Sequence, residues 1–154
     1  MKREVTQGRD YLLSLREEQR ELISLLLLSQ RLRYDLLPSA IVYDKDQVQT
    51  SPTDVFSEKM IEVCSILDKI DKYTKEVEFH RYEALKIINR IENEKYRSIL
   101  TLYYVQPVDR YQLPRWSDVA RALQDTEGNV RLINWRALKV FDKIFTKYSK
   151  PIDM

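Results

Sequence analysis

Apolar residues recur along this chain at helical rather than strand spacing. From about Arg9 to Leu37 a seven-residue register runs through Leu12, Leu15, Gln19, Leu22, Leu26, Ser29, Arg33 and Leu36, with five of the eight positions apolar. Leu25, Leu27 and Leu28 widen the stripe beyond a two-helix seam, which predicts contact with more than one neighbour. A second helix is predicted to start at Ser51-Pro52-Thr53-Asp54: Ser suits the N-cap, Pro the first helical position and Asp the positive helix end. Its register passes through Met60, Val63, Leu67, Ile70, Thr74, Val77, Arg81, Ala84, Ile88 and Ile91, eight of ten apolar. Roughly 40 residues at ~1.5 Å each make a rod of about 60 Å, which needs a partner along its length. The first helix is the nearest candidate, so residues 9–91 are predicted to form a long antiparallel helical hairpin. Its connector, Pro38 to Ser51, is long; Ala40, Ile41, Val42 and Tyr43 can pin it to the hairpin or serve a partner.

Shorter helical segments follow, over Glu94 to Val105, Ser117 to Gln124 and about Thr126 to Tyr148, with Asn93 placed to cap the first. Val105 to Arg115, carrying Pro107 and Pro114, reads as a loop. Val119 and Leu123 share a face, Ala120 is small enough for a second helix to cross closely, and Val130, Ile133, Ala137, Leu138 and Phe141 supply the matching surface. That spacing fits a helix-turn-helix and also fits a purely structural helical pair. The expected architecture is all-α, with residues 1–92 as a hairpin for association or partner contact and 93–154 as a small helix-turn-helix domain.

Composition agrees with a helical protein: two Gly and five Pro in 154 residues, set between the periodic stretches, leave few turn formers. With a single cysteine, no apolar leader and no run approaching ~18 apolar residues, neither secretion nor membrane spanning is expected, and the cytoplasm of a bacterial host is the expected location. Net charge is only +2, yet Asn129 to Lys150 holds six bases against one acid. Such a concentration suits a polyanion or a solvated basic helix.

Candidate chemistry is sparse. Cys64 and His80 lie sixteen residues apart on one predicted helix, about 24 Å at ~1.5 Å per residue, and cannot share a metal. Cys64 beside the seam is expected to be buried or half-buried, and His80 to be a solvated surface residue. There is no Gly-rich phosphate loop, no His-Glu-x-x-His and no second His. Carboxylates mostly alternate with bases, as in Arg16 to Glu21, the ordinary surface of a long helix. The expectation is a protein that is not an enzyme and needs no metal or cofactor.

Four segments, Glu94 to Tyr104, Trp116 to Leu123, Thr126 to Val130 and Arg136-Ala137-Leu138, together resemble region four of bacterial sigma factors. The whole chain is similar to a prophage family of uncharacterised proteins that carry this module behind a long helical hairpin, the connector Asp46 to Pro52 included. The resemblance implies a phage-type transcription regulator related to the ArpU-like late-gene regulators, binding double-stranded DNA and touching RNA polymerase. The loop between Tyr104 and Trp116 is longer than the family pattern. Gln124-Asp125 stands where Gly and an apolar residue are usual, so Gly128 is expected to absorb the bend.

On that reading Thr126 caps the recognition helix, and Glu127, Gly128, Asn129, Arg131 and Leu132 lie around its opening turns. Asn pairs bidentately with adenine and Arg with guanine, making Asn129 and Arg131 the specificity candidates. Asn134, Arg136 and Lys139 lie further along, toward phosphates or the module's own surface. Arg136 can instead pair with an acid on a neighbouring helix, and Trp135 is expected to pack on one. A homo-oligomer through the Leu stripe is expected. The rival reading is a coiled-coil scaffold or adaptor that binds no DNA.

Overall fold

The computed structural model describes residues 7–36 and 52–149, and among them every named element is helical. Helix α1 spans Gln7–Asp35 and α2 spans Pro52–Ile88. The short α3, Glu94–Leu100, runs directly into a π-helical turn, Thr101–Val105, and α4, Trp116–Ala122, precedes α5, Glu127–Ser149. The connector from Pro38, with residues 40–43 and the Ser51 cap, lies outside the described residues. The first helix begins slightly before its expected start, so Gly8 sits inside α1 rather than between elements.

Helices α1 and α2 lie side by side in opposite directions. His80 Nδ1 lies 2.6 Å from Glu18 Oε2, and Tyr73 donates to Glu21 at 2.5 Å, so residues rising along one helix meet residues falling along the other. His80 is therefore held in a half-buried cross-helix pair, not left as a freely solvated side chain. Six of the eight register positions of α1 are buried, Gln19 and Ser29 among them. In α2 the buried line is Val63, Ile66, Ile70, Val77, Ala84, Ile87 and Ile88. It departs from the strict register at Ile66 and Ile87 because a 3.6-residue turn drifts against a seven-residue repeat.

Two expectations for the early part of α2 are overturned: Cys64 is exposed, and Met60 is 40% exposed. Met60 lies on the stripe of the buried Val63 but near the end of α1, at Asp35, whereas Cys64 stands beside that stripe.

The largest core joins both halves of the sequence. Leu12 and Leu15 of α1, Ala84, Ile87 and Ile88 of α2, Leu100, Tyr104 and Val105, and Ala137, Leu138 and Phe141 of α5 form one buried cluster. Gly8 lets α1 approach α5 closely beside it: a Cβ there would lie 2.8 Å from the Asp142 Cα, and its own N–H donates to Asp142 Oδ1 at 2.8 Å. Asn93 caps α3 as expected, accepting from the N–H groups of Lys95 and Tyr96.

The π-helical turn leaves carbonyls that α1 side chains collect. Gln19, only 2% exposed, donates to the Tyr104 carbonyl at 2.6 Å while its Oε1 accepts from Arg81 at 3.0 Å. Arg16 donates to the carbonyls of Tyr103 and Pro114, both at 2.7 Å, and its guanidinium lies 4.0 Å over the Tyr103 ring. That ring also stacks at 3.7 Å on Trp116, the first residue of α4. Arg16 thus fastens the end of the proline-containing loop and the start of α4 to α1. A smaller core of Ile99, Val119, Ala120 and Val130 then seats α4 against α3 and α5, with Ala120 the small residue at the crossing.

Candidate nucleic-acid interface

The turn between α4 and α5 is closed by two backbone hydrogen bonds, from Asp125 N to the Ala120 carbonyl at 2.9 Å and from Gln124 N to the Arg121 carbonyl at 3.2 Å. This 6→1 and 5→2 pattern requires a left-handed residue just after the helix end, and Gln124 takes φ +53°. The expectation that Gly128 absorbs the bend is thereby overturned. Gly128 lies in the first turn of α5 without a positive φ, and a Cβ there would meet nothing within 4 Å.

Thr126 opens α5 as its cap, its Oγ1 accepting from Asn129 N at 3.2 Å. The Asp125 carboxylate before it gathers Thr126 N at 2.7 Å, Lys95 Nζ at 3.1 Å and Asn129 Nδ2 at 2.7 Å. Lys95 above all, then these amide donors, holds the Asp125 carboxyl below the usual carboxylate range. One turn on, Arg131 pairs with Glu127 at 2.9 Å. Both base-reading candidates are therefore oriented by carboxylates at the positions four residues earlier.

Helix α5 divides into two faces. Val130, Asn134, Ala137, Leu138 and Phe141 are buried, whereas Gly128, Leu132, Trp135, Arg136, Lys139 and Lys143 are exposed. Asn134 consequently leaves the set of surface candidates. Four residues after Val130, it falls on the buried stripe, where its amide donates to the Tyr104 hydroxyl at 3.2 Å and its Oδ1 has no hydrogen-bond partner among the described residues.

Trp135 is corrected in the other direction. It is 57% exposed, because α1, α3 and α4 all pack on the opposite side of α5, and Lys139 Nζ sits 3.6 Å from its ring centroid. Arg136 makes no ion pair among the described residues, so pairing with a neighbouring acid is not what places it. Thr126, Glu127, Gly128, Asn129, Arg131, Leu132, Arg136 and Lys139 all lie on exposed positions at or after the turn.

Such a surface offers cations for phosphates, an amide and a guanidinium for base edges, and an indole for apolar or stacking contact. Lys95 and Asp125 were missed from the sequence as parts of this arrangement. Lys95 carries no local signal, being thirty residues away, but Asp125 stands one residue before the cap and four before Asn129.

Residues 37–124, more than half of the chain, match a family described as protein of unknown function, DUF1492. The chain belongs to the DUF1492 family. No curated protein and no solved structure matches it. The DUF1492 match takes in α2, α3, the π-helical turn and α4 and stops at Gln124, the left-handed residue, so the exposed face of α5 lies just beyond the matched segment. Among the described residues of this DUF1492 chain no three His, Cys, Asp or Glu side chains gather as a metal site, and no helix is long and apolar enough to cross a membrane.

Proposed function

We propose that this chain is a sequence-specific DNA-binding transcription regulator of the prophage type, with α4 and α5 as a sigma region-four-like helix-turn-helix and the α1–α2 hairpin as an arm for association. The observation that carries the reading is the uncovered face of α5. It presents Arg131, Leu132, Trp135, Arg136 and Lys139 immediately after a tight turn across α4. A second helix held this way can enter the major groove with its first turns. The kinship with ArpU-like late-gene regulators, RNA polymerase as a further partner, and work in the bacterial cytoplasm belong to the same proposal and rest on the resemblance.

The test is fluorescence anisotropy of the full chain on duplexes selected from a random pool. Four to six neutralised phosphates should give a log–log salt slope of about −4 to −5. Arg131→Ala should cost ~1 to 3 kcal/mol and relax preference at one base pair, whereas Lys139→Ala should weaken all duplexes alike and flatten the slope by about one. Weak salt dependence with both variants unchanged would reject the proposal.

A second reading, a scaffold whose helical hairpin is the working part, is favoured by Leu27, Leu28, Val55, Phe56, Met60 and Ile61, each at least 40% exposed. It predicts self-association without duplex binding. Light scattering at tens of micromolar together with the anisotropy series separates the two.

A further inference from the structure

We infer that Asp125 is a positioning residue that fixes the amide of Asn129 for adenine readout, an inference that rests on the DNA reading above and names the base it selects. A free asparagine amide presents its carbonyl and its NH₂ interchangeably, because a half-turn of the terminal torsion exchanges them. Here one of the two states is chosen by charge. The ionised carboxylate of Asp125 only accepts, so the NH₂ side of Asn129 must face it, at 2.7 Å. The flipped state would set Oδ1 against a carboxylate and is repelled.

The carboxylate cannot swing away with Asn129, because it is itself held by Lys95 Nζ at 3.1 Å and by Thr126 N at 2.7 Å. Asn129 in turn has its backbone N–H tied to the Thr126 hydroxyl. What remains on the amide is the second N–H and Oδ1, neither with a partner among the described residues. Adenine presents an N7 acceptor beside an N6 donor in the major groove, the complement of that pair, whereas guanine presents two acceptors there. Gly128, the preceding residue, leaves open space where a Cβ would project, so a base edge can come close to this part of the helix.

The experiment first finds the base pair whose preference is abolished by Asn129→Ala, then measures four duplexes differing only there. Wild type should prefer adenine by about tenfold, the scale of a good bidentate contact. Asp125→Ala should lower that preference several-fold while leaving affinity for the other three duplexes unchanged. Lys95→Met removes one of the two ties on the carboxylate but keeps the Thr126 N and Asn129 bonds, and should lower the preference less than Asp125→Ala does. An equal loss on all four duplexes with Asp125→Ala, or Asn129→Ala that alters no base preference, would overturn the inference while leaving DNA binding intact. A wild-type chain that binds no duplex overturns the DNA reading itself and this inference with it. Should Asp125→Ala fail to fold, side-chain amide relaxation by NMR on wild type decides: Asn129 is expected to be more ordered than the exposed Asn89, and equal mobility would overturn the clamp.

Discussion

The two ends of α2 carry similar densities of apolar residues and meet opposite fates. At the C-terminal end, Ala84, Ile87 and Ile88 are no more than 2% exposed, because α1, the π-helical turn and α5 all close upon them. Toward the N-terminal end, Val55, Phe56, Met60 and Ile61 are between 40% and 70% exposed, and none of them belongs to a buried cluster of the described residues. A hydrophobic pattern nominates residues for burial, but neighbours confer it. One helix beside α2 hides a line one residue wide; three elements hide a whole face.

The largest effect should separate those ends directly. Ile88→Ala should cost about 2 to 5 kcal/mol of unfolding free energy, since it opens a cavity in the core shared by α1, α3 and α5. Ile61→Ala should stay within about 0.5 kcal/mol. Urea midpoints at constant m-value measure both, and equal losses would break the comparison.

A smaller contrast concerns buried polar groups along α1. Gln19→Ala should cost about 1 to 3 kcal/mol, because it strands both the Tyr104 carbonyl and the half-buried Arg81 guanidinium. Ser29→Ala, toward the other end, should be near neutral, as its hydroxyl only bonds back to the Leu26 carbonyl in its own helix. The same denaturation series reads both.

How much of this was legible beforehand follows the same logic of neighbours. The helices themselves were readable, since periodicity, the Asn93 cap and the Thr126 cap are local signals. The α1 register was readable even at Gln19 and Ser29, where the residue type argued against burial and the spacing argued for it. Cys64 and Trp135 were misplaced because each lies at the margin of a stripe, where the arrival or absence of another helix decides, and Asn134 because its residue type was weighed above its spacing. Asn134 follows the spacing of Val130 into the core; Trp135, next to it, looks out. The Arg16–Tyr103–Trp116 stack was invisible, because its members come from separate elements and one of them depends on a π-helical turn that no local pattern announces. At the candidate interface the exposed cations were foreseeable from charge, whereas the carboxylate holding Asn129 is fixed in part by Lys95, thirty residues away, which no local pattern reveals.

A gain in stability is expected where backbone conformation, not cover, sets the cost. Gln124 pays the left-handed penalty at φ +53° with no side-chain hydrogen bond among the described residues in return, so Gln124→Gly should stabilise by about 1 kcal/mol, less the extra freedom glycine brings to the unfolded chain. A rise in the thermal midpoint with unchanged helicity checks it. A fall would mean that neighbours, and not the turn, govern this region as they govern α2.

The smallest effect is titrational and belongs to the well-covered end. Tyr11 stacks with Phe141 and tilts against Phe145, and its hydroxyl donates to the His80 carbonyl at 3.4 Å. Burial first, and then the nearby Glu83 and Glu18 carboxylates, push its pKa up to about 12. The folded chain thus keeps this proton where the unfolded chain, with an ordinary tyrosine near ~10, releases it. The stabilisation is fully present below the unfolded value and is lost as pH rises from there through the folded value. Because the side chain is only half-buried, solvent screening keeps the effect below the packing losses above. The excess stability of wild type over Tyr11→Phe should therefore shrink between about pH 10 and 12, the window set by the two tyrosine values. A difference that stays flat across that window would show that the hydroxyl is solvated, and that the cover at this end of α2 is looser than its aromatic neighbours imply.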